Sequence, residues 1–273
     1  MTTTTPVPGP RRHPYLSAPA GFLALAHRGF SLDGLENSLT AFGAAADLGF
    51  RYVETDAHAT ADGVAVALHD ATLDRTTDGT GAIAAQPWRR VRHARIGGVE
   101  PVPTLEDVLG TWPALRVNID VKSAAAAAPV AAAIERTRAH DRVCVTSFST
   151  RRRRATLARL TRRVATSAGT PEVTAVVLGV RAALRRPGAV RAALRSVDCL
   201  QVPERTGRVR VVDARTVRAV HAAGRQVHVW TVNDAAAMER LLDLGVDGIV
   251  TDRADVLRDV LDRRGRWRPD DGQ

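Results

Sequence analysis

The feature that most constrains this chain is an alternation. Short apolar runs of strand-like composition recur along it, mostly separated by Ala-, Leu- and Arg-rich stretches with helical spacing. The predicted strands are 22–26, 52–56, 64–69, 117–121, 143–146, 164–167, 199–202, 227–232 and 248–251. The predicted helices include 38–48, 104–112, 129–139, 150–159, 214–223, 235–244 and 254–263. Asn233 and Asp234 stand where one helix starts, and Gly224 and Gly245 follow two others. Strands joined by helix-sized connections pair in parallel, because a tight turn cannot reach a parallel neighbour. A chain of 273 residues built this way fits one large domain. One link breaks the pattern. Residues 57–63 are too few for a helix, and Ala61-Asp62-Gly63 reads as a tight turn, so strict alternation is expected to lapse there. Residues 71–103 carry few helical signals and are predicted as an inserted segment or long loop, a feature usually tied to function. Two copies of Arg-Ala-Ala-Leu-Arg, at 181–185 and 191–195, predict a pair of short helices around Pro187-Gly188.

Aromatic residues make up only 4% of the chain against 45% hydrophobic, so Ala, Val and Leu must fill the core. No stretch approaches the roughly 20 apolar residues that span a bilayer. Residues 1–20 read as a polar, Pro-rich arm, disordered to about residue 18, and 264–273 as a frayed tail. With no apolar run behind the first arginines, a cytoplasmic setting is expected. Cys144 and Cys199, both in apolar runs, read there as buried free thiols. The net charge of +10 comes almost wholly from arginine. The blocks at 151–154 and 162–163 read as solvated helix faces, with peripheral contact to an anionic membrane left open. Aromatics are not interleaved with them, so no nucleic-acid partner is expected.

Ionisable residues gather where the predicted strands end. His27 and Arg28 follow the first run, Glu54 and Asp56 close the second, His69 and Asp70 the third, and Asp120 and Lys122 the fourth. In a parallel barrel these ends converge on one face, and burying charges there for packing alone would cost several kcal/mol each. Glu54 and Asp56, two apart on a strand, share a side and repel, which a divalent cation resolves. Asp120 can add a third oxygen, and oxygen-only ligation favours Mg²⁺, Ca²⁺ or Mn²⁺. His27 and His69 suit proton transfer, since imidazole titrates near neutrality. Arg28 and Lys122 suit a phosphoryl group. Lys122 is the only lysine among 39 basic residues, so its place beside Asp120 points to a site that needs a compact ammonium.

Blander readings fit other residues. Asn37 reads as a helix cap or a pocket-edge residue, as does Glu36. His58 reads as a surface-loop residue, and His228 as filling a barrel layer. His13, His93, His140 and His221 read as exposed. Trp230 is either core or an apolar wall for substrate carbons.

Ala26-His27-Arg28-Gly29, Glu36-Asn37-Ser38 and Glu54-Thr55-Asp56 resemble the opening motifs of glycerophosphodiester phosphodiesterases. Asp62-Gly63 with His69-Asp70, Leu73, Arg75 and Thr76-Thr77 is similar to the next block. Trp230-Thr231-Val232-Asn233 and the stretch from Gly245 to Asp252 resemble the closing ones. The likeness runs from about residue 21 to 260 with its blocks in order. It implies a TIM-type (β/α)8 barrel over 21–263, with a small inserted segment after the third strand-like run. It implies metal ligands at Glu54 and Asp56, the acid–base pair His27 and His69, and hydrolysis of glycerophosphodiesters to sn-glycerol 3-phosphate and an alcohol. The family's third ligand is usually a glutamate, where this chain has Asp120; in that it resembles sphingomyelinase D-like phospholipases. A lysophospholipase D-like enzyme acting at membranes and an inactive barrel that binds phosphate ligands are the alternatives.

Overall fold

The computed structural model describes residues 12–18, 21–181 and 188–267. Eight parallel strands frame it: β1 (Leu23–His27), β2 (Tyr52–Ala59), β3 (Arg116–Val121), β4 (Val143–Thr146), β5 (Ala165–Thr166), β6 (Cys199–Pro203), β7 (Gln226–Trp230) and β8 (Gly248–Thr251). Their hydrogen-bonded order is β5-β4-β3-β2-β1-β8-β7-β6. A parallel bridge between Ser167 and Cys199 joins the two ends, where the Asp198 N–H donates to the Thr166 carbonyl at 2.8 Å. The result is a TIM-type (β/α)8 barrel. Its main helices are α1 (Leu39–Asp47), α2 (Leu105–Thr111), α3 (Ala127–Arg136), α4 (Thr150–Leu157), α5 (Thr170–Arg181), α6 (Ala214–Ala222), α7 (Ala235–Asp243) and α8 (Ala254–Arg263), with short ones at Trp88–Val91 and Ala189–Ala193.

Alternation within each strand builds two apolar layers, because successive side chains point to opposite faces. Ala24, Ala26, Val53 and Val227 pack outward against the helices, while Leu23, Leu25, Tyr52, Cys144 and Cys199 fill the interior. Both cysteines are buried free thiols. His228 is fully buried between Gln201 and Gln226, a layer-filling role.

The expected lapse in alternation falls after β2. Ala65–Ala67 folds back antiparallel on β2, pairing Ala59 with Ala65 and Ala57 with Ala67. This pairing prolongs β2 to Ala59 and buries His58, correcting its reading as a surface-loop residue. The following segment has its own small core, including Val66, Leu68, Leu73, Ile83, Val91 and Ile96, and a short hairpin of Arg95–Ile96 with Glu100–Pro101.

The ends of the described chain are more ordered than expected. Pro14–Leu16 forms a 3₁₀ turn that inserts Tyr15 beneath the barrel, edge-on to Tyr52 at 5.3 Å between ring centres. The Tyr52 hydroxyl donates to the Tyr15 carbonyl (2.8 Å), and the Gln226 amide to the Leu16 carbonyl (3.2 Å). Tyr15 is fully buried there, in one cluster with Leu23, Leu25, Tyr52, Cys144 and Cys199, and so extends the barrel's interior core downward. At the other terminus Trp267 packs on Phe50 at 5.0 Å, so 264–267 are not frayed. His13 and His140 are buried, contrary to expectation, whereas His93 and His221 are exposed. Most of the first Arg-Ala-Ala-Leu-Arg copy lies outside the described residues; the second overlaps the short helix Ala189–Ala193. No helix among the described residues is long and apolar enough to cross a membrane.

Candidate active site

The C-terminal ends of β1, β2 and β3 bring the predicted residues together. His27 is the last residue of β1, and the chain turns immediately after it, with Arg28 in the left-handed region (φ 57°). Gly29 follows at φ 83°, where a Cβ would lie 2.6 Å from the Ala41 backbone; only glycine permits this approach of the loop to α1. Glu54 and Asp56 project from β2, and register sets Asp56 opposite Asp120 of β3. The Lys122 ammonium bridges these two aspartates, 2.8 Å from Asp56 Oδ1 and 2.8 Å from Asp120 Oδ2. Arg28 Nε lies 3.0 Å from Asp56 Oδ2.

Each histidine has its own aspartate. His27 Nδ1 donates to Asp252 Oδ1 at 2.6 Å, and its Nε2 faces Glu54 at 3.7 Å. Asn233 fixes Asp252 by donating to Oδ2 (2.8 Å) and accepting its backbone N–H (2.9 Å). His69 Nδ1 donates to Asp70 Oδ1 at 2.6 Å. Arg75 then links Asp70 (2.5 Å) to Glu36 (2.7 Å), and Glu36 accepts from Arg28 at 2.9 Å. An unbroken polar chain therefore runs from His69 through Asp70, Arg75, Glu36 and Arg28 to Asp56. His58 Nε2 meets the His69 carbonyl at 3.0 Å and anchors its backbone.

Charge balance is uneven across this cluster. Burial, reinforced by the Asp56 charge, pushes Glu54 up to about 8. Asp56 is just as enclosed, but Lys122 and Arg28 outweigh its burial and hold it below the usual carboxylate range. Burial raises Asp120 despite Lys122. For His27, burial is outweighed by the Asp252 hydrogen bond and the Glu54 charge, so its affinity for a proton rises. Arg75 holds Asp70 down to about 2.

The carboxylates fit a hard cation in chemistry. They are all oxygen donors, Glu54 is short of positive charge, and Asp120 Oδ1 is a buried atom with no hydrogen-bond partner among the described residues. They are not drawn into a ready-made cage: no group of three His, Cys, Asp or Glu among the described residues is arranged to hold a metal. Lys122 lies between two of the three.

All eight predicted site residues line one cavity of about 560 Å³. On its far side stand Phe148, Val173, Pro203, Arg205 and Trp230, so Trp230 forms an apolar wall. Other readings change. Ser38, not Asn37, caps α1, accepting the Ala41 N–H at 3.0 Å. Asn37 is buried, donates to Asp56 at 3.3 Å and accepts from Thr55 at 2.7 Å. Asp252 and Arg75 were not singled out for roles. Asp252 carried the same signal as the others, an acidic residue just past a strand end. Arg153, read as part of a solvated face, is 1% exposed and pairs with Glu172 at 2.8 Å.

Two histidine–aspartate dyads facing carboxylates and cations across a barrel mouth place this protein among the TIM-barrel phosphodiesterases. The model of the glycerophosphoryl diester phosphodiesterase family matches residues 27–256. The chain belongs to that family. It is 52% identical over 252 residues to a Mycobacterium tuberculosis protein named "Probable glycerophosphodiester phosphodiesterase 2", covering 90% of this chain and 93% of that one. Identity to the glycerophosphodiester phosphodiesterase of Caldanaerobacter subterraneus subsp. tengcongensis is 29% over 261 residues, covering 89% and 99%. Among solved structures, an Oleispira antarctica phosphodiesterase in complex with the product sn-glycerol-3-phosphate superposes with a TM-score of 0.73 at 22% identity, covering 88% of this chain and 96% of that one.

Proposed function

We propose that this protein hydrolyses glycerophosphodiesters to sn-glycerol 3-phosphate and an alcohol, with His27 and His69 as the acid–base pair. The observation that carries the reading is the pair of dyads, His27–Asp252 and His69–Asp70, opening into one cavity with Glu54, Asp56 and Asp120. Family membership and the 52% identity over most of both chains support the substrate class. An inactive phosphate-binding barrel would have no use for two oriented imidazoles.

Glu54, Asp56 and Asp120 would hold a divalent cation, Mg²⁺, Ca²⁺ or Mn²⁺. Such an ion, when bound, neutralises phosphoryl charge and acidifies a hydroxyl nucleophile. The chain's own groups do the rest. Arg28 and Lys122 stabilise charge on the phosphorus-bound oxygens. One imidazole removes the nucleophile's proton and the other protonates the departing alkoxide. The aspartates orient both rings, so each presents Nε2 to the cavity.

The test is release of sn-glycerol 3-phosphate from glycerophosphocholine by EDTA-treated protein, with Mg²⁺, Ca²⁺ and Mn²⁺ restored separately. His27→Ala and His69→Ala should each lose at least about a hundredfold in kcat with the fold intact. Near-native turnover in both variants would overturn the acid–base assignment, and activity in EDTA equal to that with metal would overturn the cation.

A further inference from the structure

Two buried amides face the catalytic cavity, and the hydrolytic chemistry uses neither. Asn118 stands two residues before Asp120 on β3, about 7 Å nearer the barrel interior at the usual rise of a strand. Gln201 stands two before Pro203, the last residue of β6. β4 and β5 separate these strands in the sheet, so the two side chains meet across the barrel interior. Gln201 Nε2 donates to Asn118 Oδ1 at 3.1 Å. Both residues line the cavity although they are only 3% and 8% exposed.

A series of hydrogen bonds fixes which way each amide points. Gln226 Nε2 donates to the Leu16 carbonyl at 3.2 Å, and a carbonyl can only accept. Gln226 Oε1 therefore faces His228 Nε2 as acceptor, at 3.1 Å, so that nitrogen carries the ring hydrogen. His228 Nδ1 is left to accept from Gln201 Nε2 at 3.2 Å. The Gln201 amide nitrogen thus gives one hydrogen to His228 and the other to Asn118. Gln201 Oε1 and Asn118 Nδ2 remain, and neither has a hydrogen-bond partner among the described residues.

An acceptor left beside a donor selects the group that can bind there. A phosphoryl or carboxylate oxygen could take a hydrogen from Asn118 but would be repelled by Gln201 Oε1. A quaternary ammonium has no hydrogen to give and no lone pair to offer. A hydroxyl does both, accepting from Asn118 Nδ2 and donating to Gln201 Oε1. Enclosed amide atoms are costly to leave unpaired, so a ligand without that hydroxyl is penalised.

We infer that Asn118 and Gln201 determine specificity by binding the terminal hydroxyl of the substrate's glycerol. This rests on the hydrolytic reading above and deepens it. With the phosphoryl group held by Arg28 and Lys122 at the strand ends, the far hydroxyl of the glycerol has the reach to the amide pair. The hydroxyl on the middle carbon is closer to phosphorus and stops short. The glycerol end enters first, and the alcohol to be released stays toward the mouth.

The test compares choline release from glycerophosphocholine and from its analogue without that hydroxyl, 2-hydroxypropyl phosphocholine, so that the leaving group is common. The expected kcat/KM for glycerophosphocholine is at least about tenfold higher, since a site built to pair a hydroxyl rejects a ligand that lacks it. Asn118→Leu and Gln201→Met, which nearly keep the volume, should each cut that ratio at least about fivefold. A role in packing alone would lower both rates together and leave the ratio where it was. A wild-type ratio near one, or a ratio that either folded variant leaves unmoved, overturns the subsite and leaves the hydrolytic reading standing. Choline from neither substrate overturns both.

Discussion

His27 Nδ1 lies 2.6 Å from Asp252 Oδ1, which ties the end of the first barrel strand to the residue after the last. Barrel closure makes this possible, because β1 and β8 are neighbours although 225 positions separate the two residues. The aspartate fixes the ring and stabilises its protonated form. Asp252→Asn should lower kcat by about a hundredfold with little change in KM, and shift the His27 limb of the pH–rate profile to lower pH. Steady-state kinetics across pH checks both; an unshifted profile would make Asp252 merely structural.

Glu54 gives a stability signature. Its carboxyl holds a proton up to about pH 8 in the folded chain but only to about 4.5 as an ordinary glutamate. Between those values the unfolded state sheds the proton first, so rising pH favours unfolding. Metal-free protein should lose melting temperature across this window, and Glu54→Gln should flatten the loss. Parallel melting curves for the two proteins in EDTA would contradict this.

Lys122 neutralises Asp56 and Asp120 together. Lys122→Met leaves two enclosed carboxylates facing each other, which should destabilise metal-free protein by about 3 kcal/mol. A divalent cation should recover part of that in urea unfolding. The same variant should stay catalytically poor with metal present, because the phosphoryl group has lost one cation.

Arg153 does not line the catalytic cavity, and its pairing with Glu172 is buried. Arg153→Met strands that carboxylate and should cost about 3–5 kcal/mol. Arg153→Met/Glu172→Met, which removes both charges, should recover much of the loss, and a denaturant-based double-mutant cycle measures it.

Much of the site was legible in the chain because strands impose simple rules. Parity set Glu54 and Asp56 on one side, strand ends located His27, Asp120 and Lys122, and a lone lysine in an arginine-rich protein marked itself. The fold class followed from strand–helix alternation and from blocks resembling a known family. His58 and Arg153 were misread, and Asn37 was left between two readings, for one shared reason. Each role depends on which group from another segment comes within 3.5 Å, and local spacing does not encode that. Arg153 sits in a run of four arginines, and only the packing of α4 against the start of α5 picks out the one that is buried.

The sequence by itself determined most of the strands and helices, though not α5 (Thr170–Arg181), together with the break after β2 and the residue types that carry the chemistry, since these follow from periodicity and side-chain chemistry. Only the tertiary structure decided which acid orients which base, that Tyr15 is buried beneath the barrel, and that Phe148 packs edge-on against Trp230. Closing the barrel brings together residues that the chain holds far apart, and hydrogen bonds and packing act over a few ångströms of space, whatever the separation along the chain.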